Sequence, residues 1–489
     1  MKRAPLSRLC LRNGAHTTYA YDRGGRLTRL ANAHTSGYLG VSFDYEYDAN
    51  SNITRIAQDF NGVDVAHEYA YDELNRLTRE KTCDYDDAYS YDNVGNRTAL
   101  TRVAGGVTKA TAYSHNAAHE LTQLVYDENG TAQYTKTYGY DAAGRTTRVT
   151  KQGGGLTTVV HTYDWDAADR LTRAQVDTGG NVKTIEYAYN AAGLRVRRVD
   201  TSTNVTKLYS YQGHNLASIQ KSQSGAYTAN EWAFTVAPGM IANALERHQV
   251  SAGGGATTSQ YYQYDHRGNV VAVTDSSGDI QYGYQYDAFG NVTFSFDEGA
   301  AAAPTDDILF TGKDLDPDTG LYCFNARWYD SKVGRFLSTA TRHREEEHPY
   351  VYCENAPMTR VDPKGEQTGD IVGCVLGVVA GVVICSYFGV VAIGAKQCAA
   401  LGCMAGGILG DLFDHHSVSG FTKYCLCRRM CNRVWKDYAG AVRSSANAAK
   451  NLAKCLRWCE DNYGGSWKEN PYTSRLGRSI EERIEEKLK

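Results

Sequence analysis

Proline is scarce in this chain, 8 residues of 489, against 48 glycines. Turns therefore fall mainly to glycine, asparagine and aspartate. Phenylalanine is also sparse, 12 residues against 36 tyrosines, a balance far from the average globular mixture and suited to strands with many turns. The opening residues MKRAPLSRLCLRNGAHTTYA contain no apolar run, so no cleavable secretion signal is expected there and export would use another route. Formal net charge is only −3, which gives no overall electrostatic reason to expect nucleic acid or an anionic membrane as partner. At 489 residues the chain exceeds what one core usually serves, so at least two units are expected.

A repeated pattern fills the first three hundred residues. YDELNRLTRE from Tyr71 returns as YDRGGRLTRL from Tyr21, YDNVGNRTAL from Tyr91, YDAAGRTTRV from Tyr140, WDAADRLTRA from Trp165, YDHRGNVVAV from Tyr264 and YDAFGNVTFS from Tyr286. Each unit carries two aromatics spaced by two, such as Tyr45 and Tyr47 or Tyr69 and Tyr71, and that spacing puts both rings on one face of a strand. Three residues beyond the Asp sits one that tolerates positive φ: Gly25, Asn75, Gly95, Gly144, Asp169, Gly193, Gly268 or Gly290, with Ser51 the exception. An Asp-started turn closed by a left-handed residue is a three-residue hairpin loop. After the turn a short alternating strand is expected, such as Arg76, Leu77, Thr78 and Arg79, in which the Leu and the Thr/Arg positions must face opposite ways. One such hairpin is marginal alone, but stacked hairpins bury each other's aromatics and cover each other's edges. A tyrosine strip that binds sugar is the competing reading of the same rings.

These units resemble the repeats of RHS/YD-repeat proteins over about residues 15 to 365. A more specific likeness is LFTGKDLDPDTGLYCFNARWYDSKVGRFLS, which is similar to the RHS-associated core motif through Asp318, Gly320, Leu321, Tyr322, Arg327, Tyr329, Asp330, Gly334, Arg335 and Phe336. Asp318 to Gly320 and Asp330 to Gly334 read independently as two turns. The resemblance implies hairpins coiled into a hollow shell, here a partial one, a core segment that plugs it, and a variable, toxin-like C-terminal region after a closing Asp-Pro-x-Gly. Asp362, Pro363 and Gly365 match that ending. Family members cut themselves there with paired carboxylates, which makes Asp362 the candidate catalytic residue. This chain departs from the pattern: RFLSTATRHREEEHPY has Thr339 to Thr341 where a first Asp-Pro is expected, and Glu366 stands in place of Leu. Glu345, Glu346 and Glu347 are the acids left to replace the missing one, although such a run is usually a solvated turn. The expectation is therefore a chain that stays largely intact.

Past Glu366 the composition changes. IVGCVLGVVAGVVICSYFGVVAIG, residues 371–394, has no charge and the length of a bilayer crossing, and a weaker apolar run extends to Gly410. Gly373, Gly377 and Gly381, then Gly402, Gly406 and Gly410, recur every fourth residue, the small-xxx-small spacing that lets two helices approach in membrane. A buried pair of soluble helices is the alternative. Nine of the 13 cysteines lie here. Two Cys-x3-Cys pairs would staple antiparallel helices as Cys427 to Cys459 and Cys431 to Cys455, with a zinc site as competitor. From residue 413 onward 15 Lys or Arg stand against 9 Asp or Glu. His415 and His416 lack the partners a metal nuclease would need.

The sequence thus predicts a mainly β protein with a small α-helical C-terminal domain: an N-terminal remnant 1–14, repeat shell 15–300, core plug 301–365, apolar helical hairpin 366–412 and a basic Cys-rich region 413–489. The shell would carry a membrane-active payload; an enzymatic, nuclease-like payload and a non-toxic adhesion protein are the alternatives. Expected partners are membrane lipid, an immunity protein and a cell-surface glycan, with no nucleic acid, metal or cofactor, and the expected location is secreted or cell-surface.

Overall fold

The computed structural model describes residues 8–11, 13–35, 40–60, 63–223, 226–236, 244–250, 258–297, 308–340, 348–366 and 369–370. The chain divides into two units, Met1–Ser295 with Pro304–Leu412, and Phe296–Ala303 with Phe413–Lys489; the repeats and the core segment belong to the first.

Among the described residues twenty-five strands, from Arg8–Cys10 to Val292–Asp297, form one sheet, and from Arg8–Cys10 to Ile280–Tyr286 successive strands pair antiparallel. Among the described residues the only helical pieces are the 3-10 turns Phe310–Gly312 and Tyr352–Asn355, so the repeat region is β as its patterning predicts. The first aromatic of a pair is a core ring: Tyr45, Tyr69, Tyr89, Tyr163, Tyr187 and Tyr262 are all buried.

Each repeat turn is held the same way. Gly25 N donates to Asp22 O, and Arg26 N donates to Asp22 Oδ1 at 2.9 Å while its Nε donates to Oδ2 at 2.7 Å. All eight residues expected at positive φ adopt it. Ser51, the apparent exception, does so too, at φ 68, within the same clamp: Asn52 N and Nδ2 donate to the two oxygens of Asp48. Two further turns of this kind, Asn116 to His119 and Asp275 to Gly278, lack the Tyr-Asp signature.

Immediately after each turn the ladder skips one residue. Ala20 faces Arg29 but Tyr21 faces Leu27, leaving Thr28 extra; Thr54, Thr78, Thr98, Thr122, Thr147 and Thr172 are bulged alike. A bulge places two consecutive residues on the outer side and sharpens the local twist. It breaks the alternation expected of this strand: Leu77 is buried while Thr78 and Arg79 both point outward, and Leu27 and Leu30, Ile53 and Ile56, or Leu121 and Leu124 are all inside at a spacing of three.

Neighbouring units are then stapled. In six of the pairs the second aromatic donates to a carbonyl of the unit before it: Tyr47 to Leu27 O, Tyr71 to Ile53 O, Tyr91 to Leu77 O, Tyr140 to Leu121 O, Trp165 to Thr146 O and Tyr189 to Leu171 O, whereas the Tyr21 hydroxyl has no partner among the described residues. In the other direction Arg26, Arg76, Arg145 and Arg170 donate Nη1 to a carbonyl of the next turn. The aromatic ladder of the repeats is therefore a ladder of hydroxyls on carbonyls, with Arg26 and Arg76 stacked 4.9 and 5.0 Å from the Tyr47 and Tyr91 ring centres. These bonds account for the tyrosines structurally.

The sheet comes back on itself, with Asn32 Nδ2 donating to Tyr264 O and Ala288 N to Glu80 Oε2. The core segment from Ile308 onward fills it. Leu321, Cys323, Trp328 and Leu337 pack on Tyr163, Leu171, Ile185 and Tyr187, and Val333 packs on Tyr113 and Leu124. At its centre Phe310, fully buried, is surrounded by Tyr286, Tyr322, Phe324, Tyr329 and Tyr352.

Candidate functional site at the end of the core segment

The core-motif residues fasten this plug to the repeats. Asp318 accepts from Lys183 Nζ at 2.5 Å and from Arg198, while Asp316, two residues before it in the same motif, is buried and accepts from Arg198 Nε and the Tyr187 hydroxyl at 2.8 and 2.7 Å. Gly320 and Gly334 close the two expected turns at φ 72 and 69, and Asp330 Oδ1 caps the second by accepting from Lys332 N. Tyr322 and Tyr329 donate to Gly290 O and Phe289 O, Leu321 lies among the repeat side chains, and Phe336 packs beneath the Arg327 guanidinium at 3.6 Å.

Arg335 sits in a histidine-lined seam between plug and repeats. It donates to His119 O and Asn96 Oδ1 and lies 3.2 Å from His115 Nε2, while His348 is 2.8 Å from Asn96 Oδ1. Burial first, then the Arg335 charge, brings His115 down to about 4 and His348 down to about 3; Asp92 opposes the shift in both. Unfolded histidine titrates near 6.5. Both rings thus refuse protons that the unfolded chain accepts, so their stabilisation is complete above about pH 6.5 and is lost as pH falls toward those lower values. Urea unfolding midpoints are expected to fall between pH 6.5 and 5, with a flatter slope in His348→Gln. An unchanged slope in that variant would remove the seam as the cause.

Asp362 closes the core. Its carboxylate is 1% exposed. Oδ2 accepts from Arg327 Nη2 at 3.1 Å, and Oδ1 accepts from the backbone N–H groups of Gly365 and Glu366 at 2.8 and 3.1 Å. Arg327 also donates Nε to Gly365 O at 2.6 Å and Nη1 to Pro349 O. Lys313 Nζ donates to Pro363 O at 2.5 Å. Burial pushes the Asp362 carboxyl up against the opposing pull of Arg327, and brings Lys313 down to about 8 against the opposing pull of Asp362. Gly365 is required by its φ of 73 and because a Cβ there would lie 2.7 Å from Phe324 O.

Chemically, Asp362 and Arg327 contact the two ends of one peptide bond, the Glu366 nitrogen and the Gly365 carbonyl oxygen. A protonated Asp362 there is placed to serve the leaving amine, and the guanidinium to stabilise a developing oxyanion. The charged side chains that act most strongly on Asp362 are both cations, Arg327 and Lys313, rather than a second carboxylate that could activate water. Thr339 and Ala340 occupy the stretch of the missing Asp-Pro, and Glu345, Glu346 and Glu347 lie outside the described residues. Purified protein is accordingly expected to give one intact mass. Release of a fragment beginning near Glu366, abolished by Asp362→Asn, would show that another acid has taken the role.

The remaining candidates, the glycine series 373–381 and 402–410, the Cys427, Cys431, Cys455 and Cys459 pairs, and His415 and His416, also lie outside the described residues. Among the described residues Cys323 and Cys353 are buried free thiols, no metal-ligand cluster occurs, and no helix is long and apolar enough to cross a membrane.

A profile of the teneurin YD-shell family matches residues 88–353, more than half of the chain. The tRNA3(Ser)-specific nuclease WapA of Bacillus spizizenii is 30% identical over 371 residues, 72% of this chain and 14% of its own length. The tRNA nuclease WapA of Bacillus subtilis is 30% identical over 314 residues, 60% of this chain and 12% of its own. The double-stranded DNA deaminase toxin A of Burkholderia cenocepacia is 29% identical over 198 residues, 37% and 14% of the two chains. The chain thus spans about a seventh of the length of the curated relatives it matches. Among solved structures, the Photorhabdus luminescens Tc holotoxin pore aligns at 19% identity over 76% of this chain and 21% of that one, with a TM-score of 0.39.

Proposed function

Because the chain belongs to the teneurin YD-shell family, we propose that it is the shell and core of a toxin-type protein, secreted or held at the cell surface, that carries and shelters a payload beyond residue 365. The observation that carries this reading is the anchoring of the boundary. Arg327, Lys313 and Asp362 pin residues 362–366 to the plug by side-chain bonds to three parts of the backbone, so the chain beyond starts from a fixed point of the folded shell. Relatives named as nuclease and deaminase toxins support a cargo role for such a shell.

For the payload the uncharged run 371–394 and its fourfold glycine spacing favour a membrane-active helical segment whose partner is lipid. A nuclease payload is the second reading, supported by the relatives' names and by the basic balance after residue 413. An immunity protein that neutralises the payload accompanies either. Residues 366–489 expressed alone are expected to arrest growth and to release dye from anionic vesicles, with Gly377→Leu reducing leakage more than binding. Degraded tRNA with intact vesicles would replace the membrane reading by the nuclease one. Neither effect would leave an adhesion protein, for which a cell-surface glycan is the expected partner.

A further inference from the structure

Three successive strands, Thr131–Tyr140, Thr146–Gln152 and Val159–Trp165, turn one face toward the core segment. Tyr138, Val149 and Tyr163 pack on that segment, and two residues along each strand, on the same face, stand Lys136, Lys151 and His161. Lys136 and Lys151 are direct cross-strand partners, and Val149 pairs with His161. Side chains so opposed leave the backbone about 4.5–5.5 Å apart at Cβ, close enough for like charges to destabilise the pair. The three strands carry one carboxylate, Asp164, and it lies on the other face with Arg173.

The core segment adds a third amine there. Its turn after Asp330 brings Lys332, whose charge bears on Lys136 together with that of Lys151. Burial first, then these two amines, brings Lys136 below the ordinary lysine range, and Asp330 opposes the shift. His161 is brought down in the same way, by burial first and then by Lys136 and Lys332, again against Asp330. Among the described residues none of the three amines is ion-paired, and Lys151 Nζ rests 4.1 Å from the Tyr134 ring centre instead. They remain within reach of a ligand: Lys136 and Lys151 are half-buried and Lys332 is exposed.

Three amines against Asp330 leave a surplus of two positive charges. A carboxylate ligand would bring one negative charge, a phosphate about 1.5–2 at pH 7. Amines on flexible stems suit phosphate, which they bind as point charges without the fork geometry of a guanidinium. Solvation alone accounts for scattered surface lysines. It does not account for a like-charged pair set on the face that meets the core segment, where burial already costs Lys136 part of its hydration.

We propose that Lys136, Lys151 and Lys332 form a binding site for a small phosphate-bearing anion. The ligand joins repeat to plug, because Lys136 and Lys151 belong to the repeats and Lys332 to the core segment.

The test uses the full chain at pH 7. Thermal unfolding is followed against sodium phosphate and sodium acetate, each compared with sodium chloride at equal ionic strength, and phosphate binding is measured by titration calorimetry. A bound anion raises the midpoint in a saturable way, by mass action on the folded state. Phosphate also strengthens burial in any protein, but that effect is shared by every variant. Lys136→Met, Lys151→Met and Lys332→Met keep the apolar stems, and each is expected to weaken phosphate binding about 10-fold, the loss of one charge-assisted bond. Removing one of two opposed like charges leaves the first two variants at least as stable as the parent in chloride, which separates weakened binding from a folding defect. Lys81→Met, on the opposite face beside Glu68, should bind phosphate as the parent does. Saturation by acetate at the same concentrations would show that one negative charge suffices and would overturn the assignment to phosphate. If phosphate binding does not saturate, or if the three variants bind like the parent, these lysines form a solvated face and the proposal is wrong.

Discussion

Replacing Arg327 by methionine is expected to lower the unfolding free energy by about 3–5 kcal/mol, the usual penalty for stranding one partner of a buried ion pair. Asp362 is nearly inaccessible, and the guanidinium meets its Oδ2 directly. Methionine keeps most of the apolar contact with Phe336, which lies 3.6 Å under the guanidinium carbon, so lost packing contributes little. Lost at once are the charge opposite Asp362 and the donors to Gly365 O and Pro349 O. Lys313 remains as the nearby cation, but it bonds the Pro363 carbonyl rather than the carboxylate. The carboxyl, already pushed up by burial, should then take up a proton at a higher pH than in the parent. A double-mutant cycle makes the claim specific. In an Asp362→Asn background no buried charge is left to strand, so Arg327→Met should cost less by on the order of 2 kcal/mol. Equal losses in the two backgrounds would mean that Arg327 acts through packing and backbone bonds alone. The boundary should also become a protease target in the single variant, since two of the bonds that hold residues 362–366 depend on this side chain.

Legible in the sequence is what neighbouring residues decide among themselves. Asp22 with Gly25, or Asp72 with Asn75, makes its turn within five residues, and such turns stand where the pattern puts them. Ser51 was not legible from its own tolerance of positive φ: the turn at Asp48 carries the same clamp, Asn52 on both Asp48 oxygens, that Asn96 makes on Asp92 in a turn closed by glycine. The bulged threonines were hidden for a different reason. Strict alternation treats each strand alone, whereas a bulge exists only against a partner, so Leu27 and Leu30 share a face that period-two reading denies them. Arg26 and Arg76 stood in the repeat in plain view, yet their second role, reaching the next turn, needs the hairpins side by side. At the boundary Asp362 and Arg327 were both recognisable as motif positions, and Lys313 stood in the Gly-Lys of the same motif, but Arg327 lies 35 residues before Asp362 and nothing local ties the three together. Only the fold shows that Arg327 and Lys313 are buried against Asp362.

Gly290→Ala is expected to destabilise the protein by about 3–5 kcal/mol, whereas Gly25→Ala, at the equivalent position of another repeat, should cost only about 1 kcal/mol. Both glycines hold positive φ, at 93 and 84, so both variants carry the same backbone strain. They differ in what surrounds them. A Cβ on Gly25 meets nothing within 4 Å, while one on Gly290 would lie 2.5 Å from two ring carbons of Phe310 and 2.7 Å from a third. Phe310 cannot yield, because Tyr286, Tyr322, Phe324, Tyr329 and Tyr352 enclose it and it has no exposed surface. The inserted methyl must therefore push the hairpin off the plug, and the Tyr322 hydroxyl would lose its bond to Gly290 O in the same movement. The difference between the two variants, about 2–4 kcal/mol in urea unfolding, measures close packing of repeat against core with turn strain cancelled. Equal losses would show that the tip of this hairpin does not bear on the core. A larger loss at Gly290 that is recovered by Phe310→Leu, which makes room for the methyl, would fix the contact as the one responsible.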